Sequence, residues 1–312
     1  MARPPRASLL VAALLLTLPA CQRDEESPTS VTPRRELSRE RADALLEDPS
    51  PTTLLAALAQ PHRDVRQHVG PHRLHYTGEY ALVPVEEPGR PKIGEPVLEG
   101  REVADELTLE WGSAVGEPLA FRLVQKSDHD DSRHVLVLDE RIYTHLEHRG
   151  WFWRELDSEL HEQWLDDAVH CMHDAVALAA PRLSVTVGEG EEDTMLATLS
   201  LADGVDPDLI QSEAVSGPGA AWRHQATIES VSGQIVLDRN DGSWRSGEVE
   251  IGYTLADRLG RKVRGRLHVE GRLEPVEPGD LEITPPEGAE PVPERERYEV
   301  ERGKLLDGLA AP

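Results

Sequence analysis

The spacing of apolar residues changes along this chain, and each change marks an element. A continuous apolar run stands first, Leu9 to Leu18, broken only by Thr17. Gln22 to Arg35 is polar, charged and carries Ser and Pro, the composition of a flexible tether. Glu36 to Glu47 and Pro51 to Gln60 are helical candidates. Leu54, Leu55 and Leu58 give the second a small apolar face, with Pro51 tolerated in its first turn and Pro61 as a stop. From Leu74 the period becomes two, as in strands with one dry and one wet face. Leu74, Tyr76, Tyr80 and Leu82 alternate with His75, Thr77 and Glu79. After a Pro/Gly-rich loop (84–96), Leu107, Leu109 and Trp111 alternate with Glu106, Thr108 and Glu110. Leu119, Phe121 and Leu123 form the next strand. His134 to Leu138 and Arg141 to Thr144 flank Asp139-Glu140 as a tight hairpin, apolar on both faces. Trp151-Phe152-Trp153 is the densest aromatic cluster.

The period then switches to 3.6. Leu160, Trp164, Ala168, Met172, Ala175 and Ala179 line one face of a long helix that Pro181 closes, with Asp157 or Ser158 as its N-cap. Period two resumes at Leu183–Val187 and Met195–Leu199. It continues at Ile228–Leu237, where the alternation slips near Glu229-Ser230 as at a bulge. Asp238 to Gly242 is a turn. Val249, Ile251, Tyr253 and Leu255 then face Val263, Leu267, Val269 and Leu273, in a register that sets Glu250 opposite Arg266 on the wet face. Pro275 to Arg297 is rich in Pro and Glu and reads as disordered. The pattern predicts an α+β fold, mainly antiparallel β, with one long central helix and short N-terminal helices. It divides into residues 1–20, a tether over 21–50, one β-rich domain over 51–274, and an acidic Pro-rich tail over 275–312.

The opening run is too short to span a bilayer, which needs about 20 apolar residues. With Arg3 and Arg6 before it, it fits the apolar region of an export signal. It ends in Leu18-Pro19-Ala20-Cys21, which resembles the lipobox of bacterial lipoproteins. That resemblance implies cleavage before Cys21, a diacylglycerol thioether and an N-acyl chain on Cys21, and a membrane held through that anchor. Gln22 in place of Asp implies the outer membrane over the inner. Cleavage would leave 31 basic and 58 acidic residues, a net charge of −27, which repels nucleic acid and anionic headgroups. Cys171 would remain as the single thiol, in a helix and without a thiolate-stabilising pattern, so no internal disulfide forms.

Short N-terminal helices, an antiparallel meander, one amphipathic helix and a second meander follow the lipobox. That order, over about Leu54 to Leu273, resembles the lipoprotein-carrier superfamily of LolA, LolB, LppX and LprG. The resemblance implies a curved half-barrel sheet whose concave face is closed by helices and holds acyl chains. Two readings stay open for the interior: an apolar cavity for a lipid ligand, or side chains of sheet and helix packed as a core. Trp111, Phe121, Tyr143, Trp164 and Tyr253 are candidates to line either one. His170 and Asp174, at i,i+4 near Asp167 and His173, have metal-ligand spacing but lack a matching pair elsewhere. The acidic loop from Asp128 to Asp131 fails the calcium-loop pattern, with Arg133 and Asp139 where Gly and Glu are needed. No nucleophile-elbow, zincin, Walker or dinucleotide motif is present, and neither a catalytic residue nor a cofactor is assigned. The alternative function is a non-enzymatic structural or protein-interaction lipoprotein of the envelope, using the acidic tail or Trp151-Phe152-Trp153.

Overall fold

The computed structural model describes residues 32–85, 100–114, 116–128, 132–146, 149–156, 160–210, 212, 221–256, 260–277 and 279–292. Cys21 and its signal, the center of the loop after the first strand, and the acidic loop at 129–131 lie outside them. The described fold is α+β, with one open, curved, mostly antiparallel sheet. A first meander runs through β1 (His72–Pro84), β2 (Arg101–Trp111), β3 (Ala120–Ser127), β4 (Arg133–Leu138), β5 (Arg141–Leu146) and β6 (Gly150–Glu155). A second runs through β7 (Leu183–Glu189), β8 (Thr194–Leu201), β9 (Thr227–Asp238), β10 (Trp244–Ala256) and β11 (Lys262–Pro275). Thirteen-residue pairing of β1 with β11 joins them, so β6 and β7 end up far apart in the sheet.

That topology explains the central helix. The connection from β6 to β7 has to cross the whole sheet, and α4 (Leu160–Val169) with α5 (Cys171–Ala179) is that connection. The stretch from Leu160 to Ala179 reaches about 30 Å, and its apolar face lies against the dry face of the strands. The amphipathic stretch is interrupted at His170, which takes a turn geometry between the two segments. α1 (Thr32–Glu47) and α2 (Pro51–Leu58) pack on one another and bury Ala42, Leu45, Leu54 and Leu58. Ser50 and Thr53 close a reciprocal capping box at the start of α2, with Pro51 in its first turn as expected.

Alternation set most strand faces as the sequence implied. Leu74, Tyr76, Leu109, Phe121, Ile235, Val249, Ile251 and Leu267 are buried on the inner face. The hairpin at Asp139-Glu140 has both residues at positive φ, 52° and 61°, the primed-turn geometry that suits a two-residue loop. The bulge in β9 falls where Ser230 pairs with Gly252 and Ile228 with Tyr253, leaving Glu229 extra.

Other details differ. The β10–β11 register is offset from the expected one, with Glu250 opposite His268; Arg266 still reaches Glu250 diagonally at 2.9 Å. The helical candidate Glu36 to Glu47 is α1, which begins earlier, at Thr32, so the end of the Gln22–Arg35 tether is helical; Ala42 and Leu45 of α1 are buried. α3 (His62–Val69) was not foreseen. The stretch read as disordered is ordered over 279–292. It ends in β12 (Glu290–Pro291), which pairs parallel to Phe152 and Trp153 of β6.

Candidate functional site

The concave face is the place a ligand would occupy, and helices fill its center. Leu54 and Leu58 of α2 and Met172, Ala175 and Val176 of α5 are essentially inaccessible, in one cluster with Leu74, Tyr76, Ile235 and Val249. Three glycines show how close the fit is. A Cβ at Gly247 would lie 2.8 Å from Met172 Cε, and one at Gly271 would lie 2.9 Å from the Tyr76 ring. One at Gly265 would overlap the Tyr253 ring. Missing Cβ atoms let these side chains lie flat on the sheet.

Of the five candidate lining residues, four face inward. Trp111 and Phe121 stack with centroids 5.9 Å apart at one end of the sheet. Trp164 of α4 packs under the Arg133 guanidinium at 5.6 Å. Tyr253 sits with Trp222 at 5.8 Å, and burial pushes its phenol up from the ordinary value. Tyr143 does not join them. It pairs with Leu136 and Trp153, one step out of phase with Thr144 and Val135, and lies on the outer face. The hairpin is apolar on both faces, so alternation alone could not assign it. In the aromatic cluster, Trp151 and Trp153 face outward and Phe152 inward by the same pairing.

The end of the concavity near Trp111 carries a polar group that the sequence reading missed. His62 of α3 and His72 of β1 are fully buried, with their Nε2 atoms 3.2 Å apart. His72 Nδ1 lies 2.7 Å from the Gly70 carbonyl and so must donate to it. His72 Nε2 is then the acceptor and His62 Nε2 the donor, which leaves His62 Nδ1 as an acceptor without a partner. Both rings stay neutral. Burial, aided by Arg66 and the neighboring ring, holds His62 well below the usual imidazole range, and burial with Arg245 brings His72 to about 4.

The His62 backbone N–H donates to Asp166 Oδ1 at 2.7 Å, and Arg66 lies over Trp111 while paired with Glu162 at 3.1 Å. Beside this cluster is an open cavity of about 220 Å³ lined by Arg66, Gln67, Trp111, Ser113, Glu117 and Leu119. This arrangement ties α3 and α4 to the ends of the central strands β1 and β2; buried neutral imidazoles in line with a carbonyl give no general base facing solvent. His72 keeps the inner-face phase of Leu74 and Tyr76, the one signal that could have found it.

The helical His/Asp pair is split between structural partners. His170 Nε2 bonds the Gln60 carbonyl at 3.0 Å, and Asp174 faces His173 and Arg223. Among the described residues no group of three or more His, Cys, Asp or Glu is placed to hold a metal. Cys171 is buried, its thiol donating to the Asp167 carbonyl at 3.4 Å. No described helix is long and apolar enough to cross a membrane.

No family model matches the chain, and no curated protein matches it. Among solved structures, a crystal structure of MucB in complex with MucA(peri) aligns with 79% of this chain at 12% identity and a TM-score of 0.20. The alignment spans 59% of that chain's length. At that score the likeness carries no argument.

Proposed function

We propose that this protein is a lipid-anchored component of the bacterial envelope whose folded body presents surfaces to envelope proteins and is not a lipid ferry. Anchoring follows from Leu18-Pro19-Ala20-Cys21 behind a short apolar run, with diacylglycerol and an N-acyl chain on Cys21 and Gln22 favoring the outer membrane. Two or three chains hold such a protein stably, where one does not. The observation that carries the choice between ferry and interaction protein is Met172. It is fully buried against Gly247 in the middle of the concave face, where an acyl chain would have to lie. A lipid-carrying role requires α4 and α5 to leave the sheet, exposing the face that Leu165, Met172 and Val176 now cover.

Two measurements test the reading together. Cys21→Ser should move the protein from sedimented membranes to the soluble fraction; equal retention removes the anchor. Native mass spectrometry of the released body should give the bare polypeptide mass. A stoichiometric acyl-chain adduct would instead restore the carrier reading, and Trp111, Phe121, Trp164 and Tyr253 would become its lining.

A further inference from the structure

The outer face of the sheet is charged along most of its width. Glu79, Glu106, Glu248, Glu250, Arg266 and Arg272 point to solvent there. At β4–β6 the same face changes character. Leu136, Tyr143 and Trp153 stand in one paired row, and Leu136 and Tyr143 are 2% and 6% exposed although neither belongs to the inner core.

The segment 279–292 lies against this outer face at two places. Gly112 follows Trp111 and so faces outward, and a Cβ on it would lie 3.0 Å from Ile283 Cδ1. Further on, Glu290 and Pro291 pair with Phe152 and Trp153, and the Val292 N–H donates to the Trp153 carbonyl at 2.9 Å. The strap crosses the outer face from Gly112 to β6, with a turn at Glu287-Gly288 where Gly288 takes φ +72°. Leu281, Ile283, Pro286 and Ala289 are half-buried along it, while Glu282, Thr284, Glu287 and Glu290 are exposed.

We propose that the outer face of β3–β6 is a docking surface for an extended segment, and that the strap of a second copy occupies it in exchange for the chain's own. Three observations favor this occupant. The strap's own ladder is two residues long, one of them Pro, against thirteen paired positions between β1 and β11. Its root carries Gly279 at φ +97°, a backbone that opens without side-chain strain. Every copy brings a segment with the matching pattern, so exchange keeps each contact and changes the hinge alone.

The test uses the exported full chain carrying Cys21→Ser, so that its outcome is independent of the anchor. Light and isotopically heavy copies, each with a photo-cross-linking residue at position 283, are mixed and irradiated over a concentration series up to about 1 mM. Expected are light–heavy links from position 283 to peptides containing Gly112 to Arg122, increasing with concentration. Gly112→Val fills the seat of Ile283 and should lower those mixed links about tenfold, a shift of roughly 1.4 kcal/mol, with the circular dichroism spectrum unchanged. Should Gly112→Val unfold the chain, Ile283→Asp in one of the two copies, with its label at position 281, serves the same comparison. Links confined to single copies at every concentration, or mixed links indifferent to both substitutions, would overturn the proposal.

Discussion

Protonating His72 would place a cation 3.2 Å from the His62 ring nitrogen and in the field of Arg245, with Arg66 on α3 close to His62. The carboxylates on the facing α4 are committed elsewhere, Asp166 to the His62 backbone and Glu162 to Arg66. The sign of the consequence is fixed by the direction of the shift. The His72 pKa is lowered from 6.5 to about 4 on folding. Between those values the unfolded chain takes up a proton that the native chain refuses. The stability from this site is therefore complete above about pH 6.5 and declines as pH falls toward 4, by about 3 kcal/mol for His72. Urea midpoints measured from pH 7.5 to 4.5 should fall in the parent. In His72→Gln, which removes the titration, the fall should be shallower even if the midpoint at pH 7.5 is lower. A parallel course in both proteins would remove the buried imidazole as the cause. A second residue-scale outcome concerns Gly265. Because a Cβ there overlaps the Tyr253 ring, Gly265→Ala should cost about 1–3 kcal/mol, the usual range for overpacking, read as a lower urea midpoint at unchanged m.

The closest approach of the helical crossing to the sheet among the glycine contacts is Met172 on Gly247. Gly247→Ala should destabilize by about 1–2 kcal/mol, and Met172→Ala alone by about 2–4 through its cavity. The double variant should lose less than the sum, because the added methyl occupies part of the vacated space; strict additivity in a double-mutant cycle would deny the contact. This crossing was legible in the sequence because the 3.6 period runs from Leu160 to Ala179, and the strands were legible because each has one wet face. What escaped had weak or non-local signals. α3 offers only Val65 and Val69 to a periodicity argument, and Val65 alone of its apolar residues is buried. His72 keeps strand phase but is polar. The strap looks disordered from its Pro and Glu content, and its pairing is with residues 138 positions earlier in the chain, Glu290 with Phe152 and Pro291 with Trp153. The position of Tyr143 needed the register, since Ile142, Tyr143 and Thr144 are all buried. The side chain of His170, at the turn between α4 and α5, bonds the Gln60 carbonyl, a contact that no local pattern encodes.

For the whole molecule, the difference between a ferry and a packed shell is a difference in how it opens. In a ferry the helices must separate from the sheet while the strands stay paired, so their amides would exchange through a low-energy partial opening. Here α5 contributes Met172, Ala175, Val176 and Leu178 to the same cluster as Val249, Ile251, Leu267 and Val269 of the sheet center. Removing α5 would expose that entire inner face, and at about 25 cal/mol per Å² of apolar surface such an opening approaches the cost of global unfolding. Native-state hydrogen exchange should therefore give Ala175, Val176 and Ala177 opening free energies close to those of Ile251 and Leu267, falling together with added urea. The strap behaves oppositely. It is held by a two-residue ladder, so the Val292 amide should exchange through a local opening that is insensitive to urea and far below the global value. If α5 instead opens well below β10 and β11, the helices are a lid, and the concave face regains its claim to a ligand.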